Sequence, residues 1–153
     1  MGIEIERKFA VKKNWQPKDE GEFIAQGYLS KDLTKTVRVR VKGERGFLTV
    51  KGETQNLTRQ EFEYEIPVAD AEKLLELCGK NTLKKRRHKE IHDGMTWEID
   101  VFEGENAPLI IAEIELPDEN APFAEPNWLG EELSFDPRYF NSYLAEHPFS
   151  GWG

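Results

Sequence analysis

Cysteine is almost missing from this chain: Cys78 is the only one in 153 residues. That excludes a disulfide framework and any metal site built on paired thiolates, and Cys78 reads as a small apolar residue packed on a helix. Histidine is scarce as well, and His88, His92 and His147 stand at no ligand spacing, so they read as surface or packing residues. No apolar run approaches the ~20 residues a bilayer span needs. The stretch Met1–Phe9, charged at alternate positions, does not resemble a signal peptide. No GxxxxGK(S/T) phosphate loop occurs, and there is no internal repeat, linker or low-complexity stretch. Positive charge is in deficit, and a net charge of −8 argues against a surface built for nucleic acid. The expectation is a soluble, cytoplasmic protein that forms one domain over residues 1–153 and engages neither membrane nor nucleic acid.

What the chain does have is charge in quantity, 33% of residues against 38% hydrophobic. Alternation and β-branched content predict strands over Ile3–Val11, Glu22–Ser30, Thr36–Lys42, Gly46–Gly52, Arg59–Pro67, Leu83–Ile91, Met95–Phe102 and Leu109–Leu116. Turn residues join them, Gly43-Glu44-Arg45-Gly46 in one hairpin and His92-Asp93-Gly94 in another. The run Val68–Leu77 differs: Ala71, Leu74, Leu75 and Cys78 recur at helical spacing, Asp70 can cap the start and Gly79 can end it. A second helix is expected near Pro122–Leu129 and a third over Pro137–Glu146. The fold class is mainly β, with α+β character: about eight strands with helical decoration.

The informative feature is which face of each strand carries charge, since residues two apart point the same way. Glu4, Glu6 and Lys8 oppose Ile3, Ile5 and Phe9; Arg38, Arg40 and Lys42 oppose Val37, Val39 and Val41. Glu61, Glu63 and Glu65 share a face, as do Lys85, Arg87 and Lys89, Glu98 and Asp100, and Glu113 and Glu115. A solvated sheet face also alternates. Such faces, however, mix signs and neutral polar residues, because adjacent like charges repel. Here the signs are segregated strand by strand.

About eight antiparallel strands can close into a barrel. With the charged faces inward, an acidic set and a basic set share one lumen, and burying so many ions unpaired would cost several kcal/mol each. The arrangement becomes sensible if water, a metal and a polyanion fill the interior. Arg and Lys clusters bind phosphate oxygens, while carboxylates bind Mg²⁺ or Mn²⁺, which often share substrate phosphates.

Glu4-Ile5-Glu6-Arg7-Lys8 resembles the ExExK signature of the CYTH superfamily, the triphosphate tunnel metalloenzymes. In order along the chain, Val37-Arg38-Val39-Arg40 resembles the paired-arginine strand and Leu48-Thr49-Val50-Lys51-Gly52 the lysine strand. Arg59–Ile66 resembles the RxExEYEI segment, Lys85-Arg86-Arg87 the KxR position, Trp97–Phe102 the acidic hairpin strand and Ala112–Leu116 the final ExE strand. The resemblance implies an eight-stranded antiparallel closed barrel that binds a small-molecule triphosphate. It implies that Glu4, Glu6, Glu113 and Glu115 hold Mg²⁺ or Mn²⁺, with Glu61, Glu63 and Asp100 available for a second ion or its water. Lys8, Arg38, Arg40, Lys51, Arg59, Lys85 and Arg87 are implied to contact phosphate oxygens. Tyr28 and Lys51 fall at the positions of a tyrosine–lysine pair that assists water activation in some members; the other reading of Tyr28 is a phosphate or helix contact. The segment Asp136–Leu144 resembles a C-terminal helix at one tunnel mouth of short bacterial members, which would favour a compact substrate.

Tunnel enzymes differ in substrate. No HFRIP-like segment of the class IV adenylyl cyclases occurs, and a chain this short has little sequence to spare for recognising an organic group. The expected activity is therefore metal-dependent hydrolysis of the terminal phosphoanhydride of inorganic tripolyphosphate. Thiamine or nucleoside triphosphate hydrolysis is the alternative, with a class IV adenylyl cyclase or a non-catalytic polyphosphate-binding module ranked behind it. Lys84–Lys89 as a nucleic-acid patch is disfavoured by its place in an alternating strand, and an exposed barrel face could pair two copies into a homodimer.

Overall fold

Among the described residues nine strands follow one another: β1 (Ile3–Val11), β2 (Glu22–Ser30), β3 (Lys35–Lys42), β4 (Arg45–Gly52), β5 (Thr58–Ile66), β6 (Thr82–His92), β7 (Met95–Phe102), β8 (Ile110–Glu115) and β9 (Leu129–Glu132). Helix α1 (Val68–Cys78) follows β5, and a short α2 (Asn141–Glu146) follows β9. The computed structural model describes residues 2–30 and 32–152. The strands form one antiparallel sheet in the order β5-β4-β3-β2-β6-β7-β8-β1-β9, and a β5–β1 pairing closes the first eight into a barrel. Closure satisfies edges that an open sheet would leave bare.

Strand β1 makes the seam. One edge pairs with β8 from Glu6 to Ala10. The other edge pairs with β5 at Ile3–Ile5 and then with β9 at Phe9 and Val11. Beyond Gln60, β5 leaves the seam, and its Phe62 and Tyr64 are exposed.

Because the lumen is polar, the main apolar layers lie outside the barrel. Phe9, Trp97, Ile99, Ala112 and Ile114 on β1, β7 and β8 pack under Trp15 and Trp128, with Phe123 against them. Trp97 is fully buried and meets Phe9, Phe123 and Trp128 edge-on at 5.6–5.8 Å between centroids, the arrangement aromatic quadrupoles favour. Helix α1 covers Val39, Val41 and Leu48 with Ala71, Leu74, Leu75 and Cys78. It approaches so closely that a Cβ at Gly46 would stand 2.7 Å from the Ala71 Cβ, and one at Gly27 2.8 Å from the Cys78 Sγ.

A third cluster closes one end of the lumen. The inward residues of β6, β7, β8 and β1 change from charged to apolar along the strands, ending in Leu83, Phe102, Ile111 and Ala10. Leu144 and Ala145 of α2 pack onto these, with Leu133, Tyr139, Phe149 and Trp152 alongside. Asn106 ties the C-terminal segment in place, accepting from the Phe149 amide at 2.9 Å and donating to the Leu144 carbonyl at 3.4 Å.

Three local expectations need correction. Residues 122–129 form no helix: Pro122 and Pro126 lack the amide protons a helix needs, and this stretch leads instead into the unanticipated β9, whose partner is β1. The expected helix over Pro137–Glu146 is broken at Phe140, which is extended (φ −69°, ψ 137°), into a 3-10 turn at Pro137–Tyr139 and α2. Asp70 does not cap α1. Pro67 holds that position without a side-chain bond, and Asp70 lies in the first turn, where its charge still complements the helix dipole. No helix among the described residues is long and apolar enough to cross a membrane.

Leu144 is fully buried in the closing cluster, so Leu144→Ala should lower stability by about 2–5 kcal/mol. A urea midpoint lowered at unchanged m-value would show it; an unchanged midpoint would mean that the end is not packed as described.

Candidate active site

The inward faces enclose a cavity of about 260 Å³. Among the described residues, eight Lys and Arg and seven Glu side chains line it, with little apolar surface beyond Tyr28, Leu57 and Phe140. The register explains how so much charge is held. Arg87 stands opposite Asp100, Lys89 opposite Glu98, Lys8 opposite Glu113, Lys51 opposite Glu61 and Glu4 opposite Arg59. Cross-strand neighbours of opposite sign stabilise a sheet.

These contacts fall into two groups. In the first, Arg87 grips Asp100 through Nε at 2.8 Å and Nη2 at 2.9 Å, and reaches Glu113 at 3.2 Å and Glu98 at 3.2 Å. Lys85 contacts the same Asp100 at 2.7 Å, while Lys8 bonds Glu6 at 3.0 Å and also Glu113. In the second, Lys51 lies 3.2 Å from Glu4 and 3.3 Å from Glu61. Arg38 bonds Thr49 at 3.2 Å and Glu63 at 3.3 Å. Arg59 donates to the Gly52 carbonyl at 3.2 Å, and Arg40 donates twice to Gln26, at 3.0 and 2.8 Å.

Burial opposes every one of these charges, and the pairings decide the outcome. Asp100 is held at about 2, because Arg87 and Lys85 outweigh its burial. Burial would lower Lys8, yet Glu113 and Glu6 hold its ammonium well above the usual lysine range. Lys85 is pulled down to about 7 by burial, with Arg87 and Arg40 adding to the effect against Asp100. Burial and the neighbours Arg38 and Arg87 bring Arg40 to about 9. Glu6 goes the other way, to about 8, raised by burial, Glu113 and Glu4.

Carboxylates also crowd one another on β1, β7 and β8, a local surplus of negative charge. Glu98 is directly opposite Glu113, and Glu6 is opposite Glu115, contacts that cost stability when both groups are anionic. The raised Glu6 is one sign of this surplus. Glu115, pushed up by burial and by Glu4 and Glu61, is another. This donor set is hard oxygen throughout and fits Mg²⁺ or Mn²⁺. As the side chains stand, no three of them among the described residues are arranged to hold a metal, with Lys8 and Arg87 bonded between them.

A CYTH domain matches residues 2–142 of the chain. The chain belongs to the CYTH family. It is 49% identical to the inorganic triphosphatase of Acetivibrio thermocellus, with 99% of each chain covered. It is 38% identical to that of Nitrosomonas europaea, covering 93% of this chain and 96% of the other. A crystal structure of an inorganic triphosphatase superposes with a TM-score of 0.67 at 36% identity over 93% of both chains. The closed eight-stranded antiparallel barrel expected from the sequence is the fold of this CYTH chain.

Within this CYTH barrel, Glu4, Glu6, Lys8, Arg38, Arg40, Lys51, Arg59, Glu61, Glu63, Lys85, Arg87, Glu113 and Glu115 all line the one cavity. Two expectations meet a different arrangement. Asp100, anticipated for a second ion, is 1% exposed and has its carboxylate oxygens taken by Arg87 and Lys85. Tyr28 and Lys51 are not joined. Lys51 is held by Glu4 and Glu61, whereas Tyr28 accepts from Gln26 at 3.0 Å and packs in the closing cluster near Leu144. Burial raises the Tyr28 hydroxyl, with Arg38 and Arg40 opposing; this is the reverse of the lowering that a neighbouring lysine would bring. Sequence reasoning also missed Gln26 and Asn141. The alternation of Gln26 with Tyr28 was the available signal for the first, and Asn141 had none, since its place depends on how α2 folds back.

Asp100 is depressed from the ordinary value of 3.8 to about 2, so it contributes stability that is present above 3.8 and lost as pH falls toward 2. Asp100→Asn should therefore flatten that part of the acid limb in urea unfolding measured from pH 5 to 2. At neutral pH it should cost about 3–5 kcal/mol by leaving Lys85 and Arg87 short of a counter-charge. An acid limb identical to wild type would refute the assignment.

Proposed function

We propose that this chain hydrolyses the terminal phosphoanhydride bond of inorganic tripolyphosphate with the help of Mg²⁺ or Mn²⁺. One observation carries the reading: a single cavity lined by eight cations and seven carboxylates, with almost no apolar wall. The cations suit phosphate oxygens. The carboxylates would repel a bare polyanion, so a divalent cation between the two is what reconciles them. The cavity of about 260 Å³ is smaller than the ~300–1,000 Å³ that organic ligands occupy, and the walls offer a nucleobase little aromatic surface beyond Tyr28 and Phe140. The closed end described above leaves a compact inorganic chain as the best match, and the inorganic triphosphatases named above support that choice. A pure binding module would have no use for the acidic set.

In this reading Glu4, Glu6, Glu113 and Glu115 would hold the metal, with Glu61 and Glu63 available for a second ion or its water. A divalent cation, when bound, supplies charge neutralisation and lowers the pKa of water. The protein's own residues do the positioning, which dominates phosphoryl transfer. Lys8, Arg38, Arg40, Lys51, Arg59, Lys85 and Arg87 grip the chain's oxygens and balance the charge that builds on the departing pyrophosphate. Water attacks the terminal phosphorus, the bridging P–O bond breaks toward pyrophosphate, and the water's proton leaves with the products. Asp100 keeps Lys85 and Arg87 aimed, and Tyr28 serves as a hydroxyl contact at the closed end. Pairing of two copies would use the uncovered outer face around Ile3, Phe62 and Tyr64, exposed by 57%, 44% and 60%; a monomer by sedimentation would dismiss it.

Phosphate release from tripolyphosphate, ATP and thiamine triphosphate should be compared with Mg²⁺, Mn²⁺ or excess chelator. Fast release from tripolyphosphate alone, abolished by chelator and by Glu6→Gln, is expected. Release that persists in chelator would refute the metal assignment, and preference for ATP or thiamine triphosphate would refute the substrate. Tyr28→Phe should keep the shape of the pH–rate profile; loss of a limb would restore Tyr28 as a proton acceptor.

A further inference from the structure

Helix α2 brings a functional side chain along with its apolar plug. Asn141, its first residue, lines the cavity. The Asn141 Oδ1 accepts from Lys85 Nζ at 2.7 Å and from Gln26 Nε2 at 3.3 Å. Neither donor can turn to bulk water, since Lys85 is 1% and Gln26 0% exposed. Gln26 is also committed at its other end, where Oε1 accepts both bonds from Arg40. Lysine and arginine carry donors only, so these contacts fix which end of each amide is oxygen. A single asparagine thereby couples Lys85 on β6 to Arg40 on β3, across the intervening β2.

We propose that Asn141 is a positioning residue of the triphosphate site, one that rests on the function proposed above. It holds Lys85, and through Gln26 also Arg40, at the spacing at which they receive phosphate oxygens. Lysine is a flexible point charge rather than a rigid fork, so its position is set by the acceptors around it. Besides Asn141, the acceptor that Lys85 contacts among the described residues is Asp100 at 2.7 Å, and Arg87 already grips that carboxylate through two bonds. Without Asn141 the ammonium is left to the carboxylate it shares with Arg87, and Gln26 keeps only Tyr28, at 3.0 Å, of the two acceptors that orient its Nε2.

The test is a double-mutant cycle on tripolyphosphate hydrolysis with Asn141→Ala and Lys85→Met. Loss of a hydrogen bond to a charged group should lower kcat/KM about tenfold for Asn141→Ala, mostly through KM. The thermal midpoint should fall less than for Leu144→Ala, which separates positioning from packing. In the Lys85→Met background the same change should cost clearly less than in the wild type, because only the arm through Gln26 to Arg40 remains. Where a variant turns over too slowly to assay, the Kd for tripolyphosphate from calorimetry takes its place in the cycle. If Asn141→Ala fails to fold, Asn141→Thr, whose hydroxyl sits one bond closer to the backbone, makes the same comparison. An unchanged kcat/KM for the single variant, or an equal loss in both backgrounds, overturns the proposal while leaving the tripolyphosphatase reading intact. A wild-type protein that neither cleaves nor binds tripolyphosphate overturns both.

Discussion

The structure depends on compensation of charge inside a closed wall. A barrel interior is normally filled by apolar side chains, and each uncompensated ion placed there would cost several kcal/mol. Here Arg87 bridges Asp100, Glu113 and Glu98, Lys8 bridges Glu6 and Glu113, and Lys51 bridges Glu4 and Glu61. These bridges exist because the register sets basic strands beside acidic ones. The same register sets two pairs of carboxylates against each other on β1, β7 and β8, and Lys8 and Arg87 bridge three of those four groups. The ionic network thus holds the interior open.

Displacing the core outward has its own requirements. The apolar faces of β1, β7 and β8 need a cover, and residues of the 121–129 stretch with Trp15 provide it; those of β3 and β4 need α1. The end of the lumen needs a stopper, and α2 supplies one while bringing Asn141 to the basic floor. Apart from α1, the covering elements are irregular and short, because they answer to the shape of the barrel and need no periodicity of their own.

This division explains what could be read in the sequence. Strand boundaries and inward faces were legible because alternation is a local property, and Arg38-Val39-Arg40 or Glu113-Ile114-Glu115 announces its geometry within three residues. The barrel closure and the cavity-lining set followed from those faces. The cover did not, since Trp128 and Leu129 are placed by tertiary packing and by β9 joining the free edge of β1. Tyr28 and Lys51 are not bonded to each other for a similar reason: both residues face inward, but register and the competing carboxylates Glu4 and Glu61 decide which partners meet. Asn141 lay beyond sequence reasoning because its contacts depend on a chain reversal more than 50 residues from Lys85, a separation of 56.

The seam at β1 bears on how the chain comes together in time. Of these strands β1 is the first to be synthesised, yet its partners β5, β8 and β9 come later, and Lys8 meets Glu113 only at a sequence separation of 105. Contacts this distant make folding slow and leave early strands waiting. A waiting strand of apolar residues would be a template for association with other chains. Glu4, Glu6, Arg7 and Lys8 interrupt it with charge on alternate and adjacent positions, the kind of residue that discourages such pairing. The side chains that serve the finished lumen therefore also guard the nascent strand until the wall can close around them.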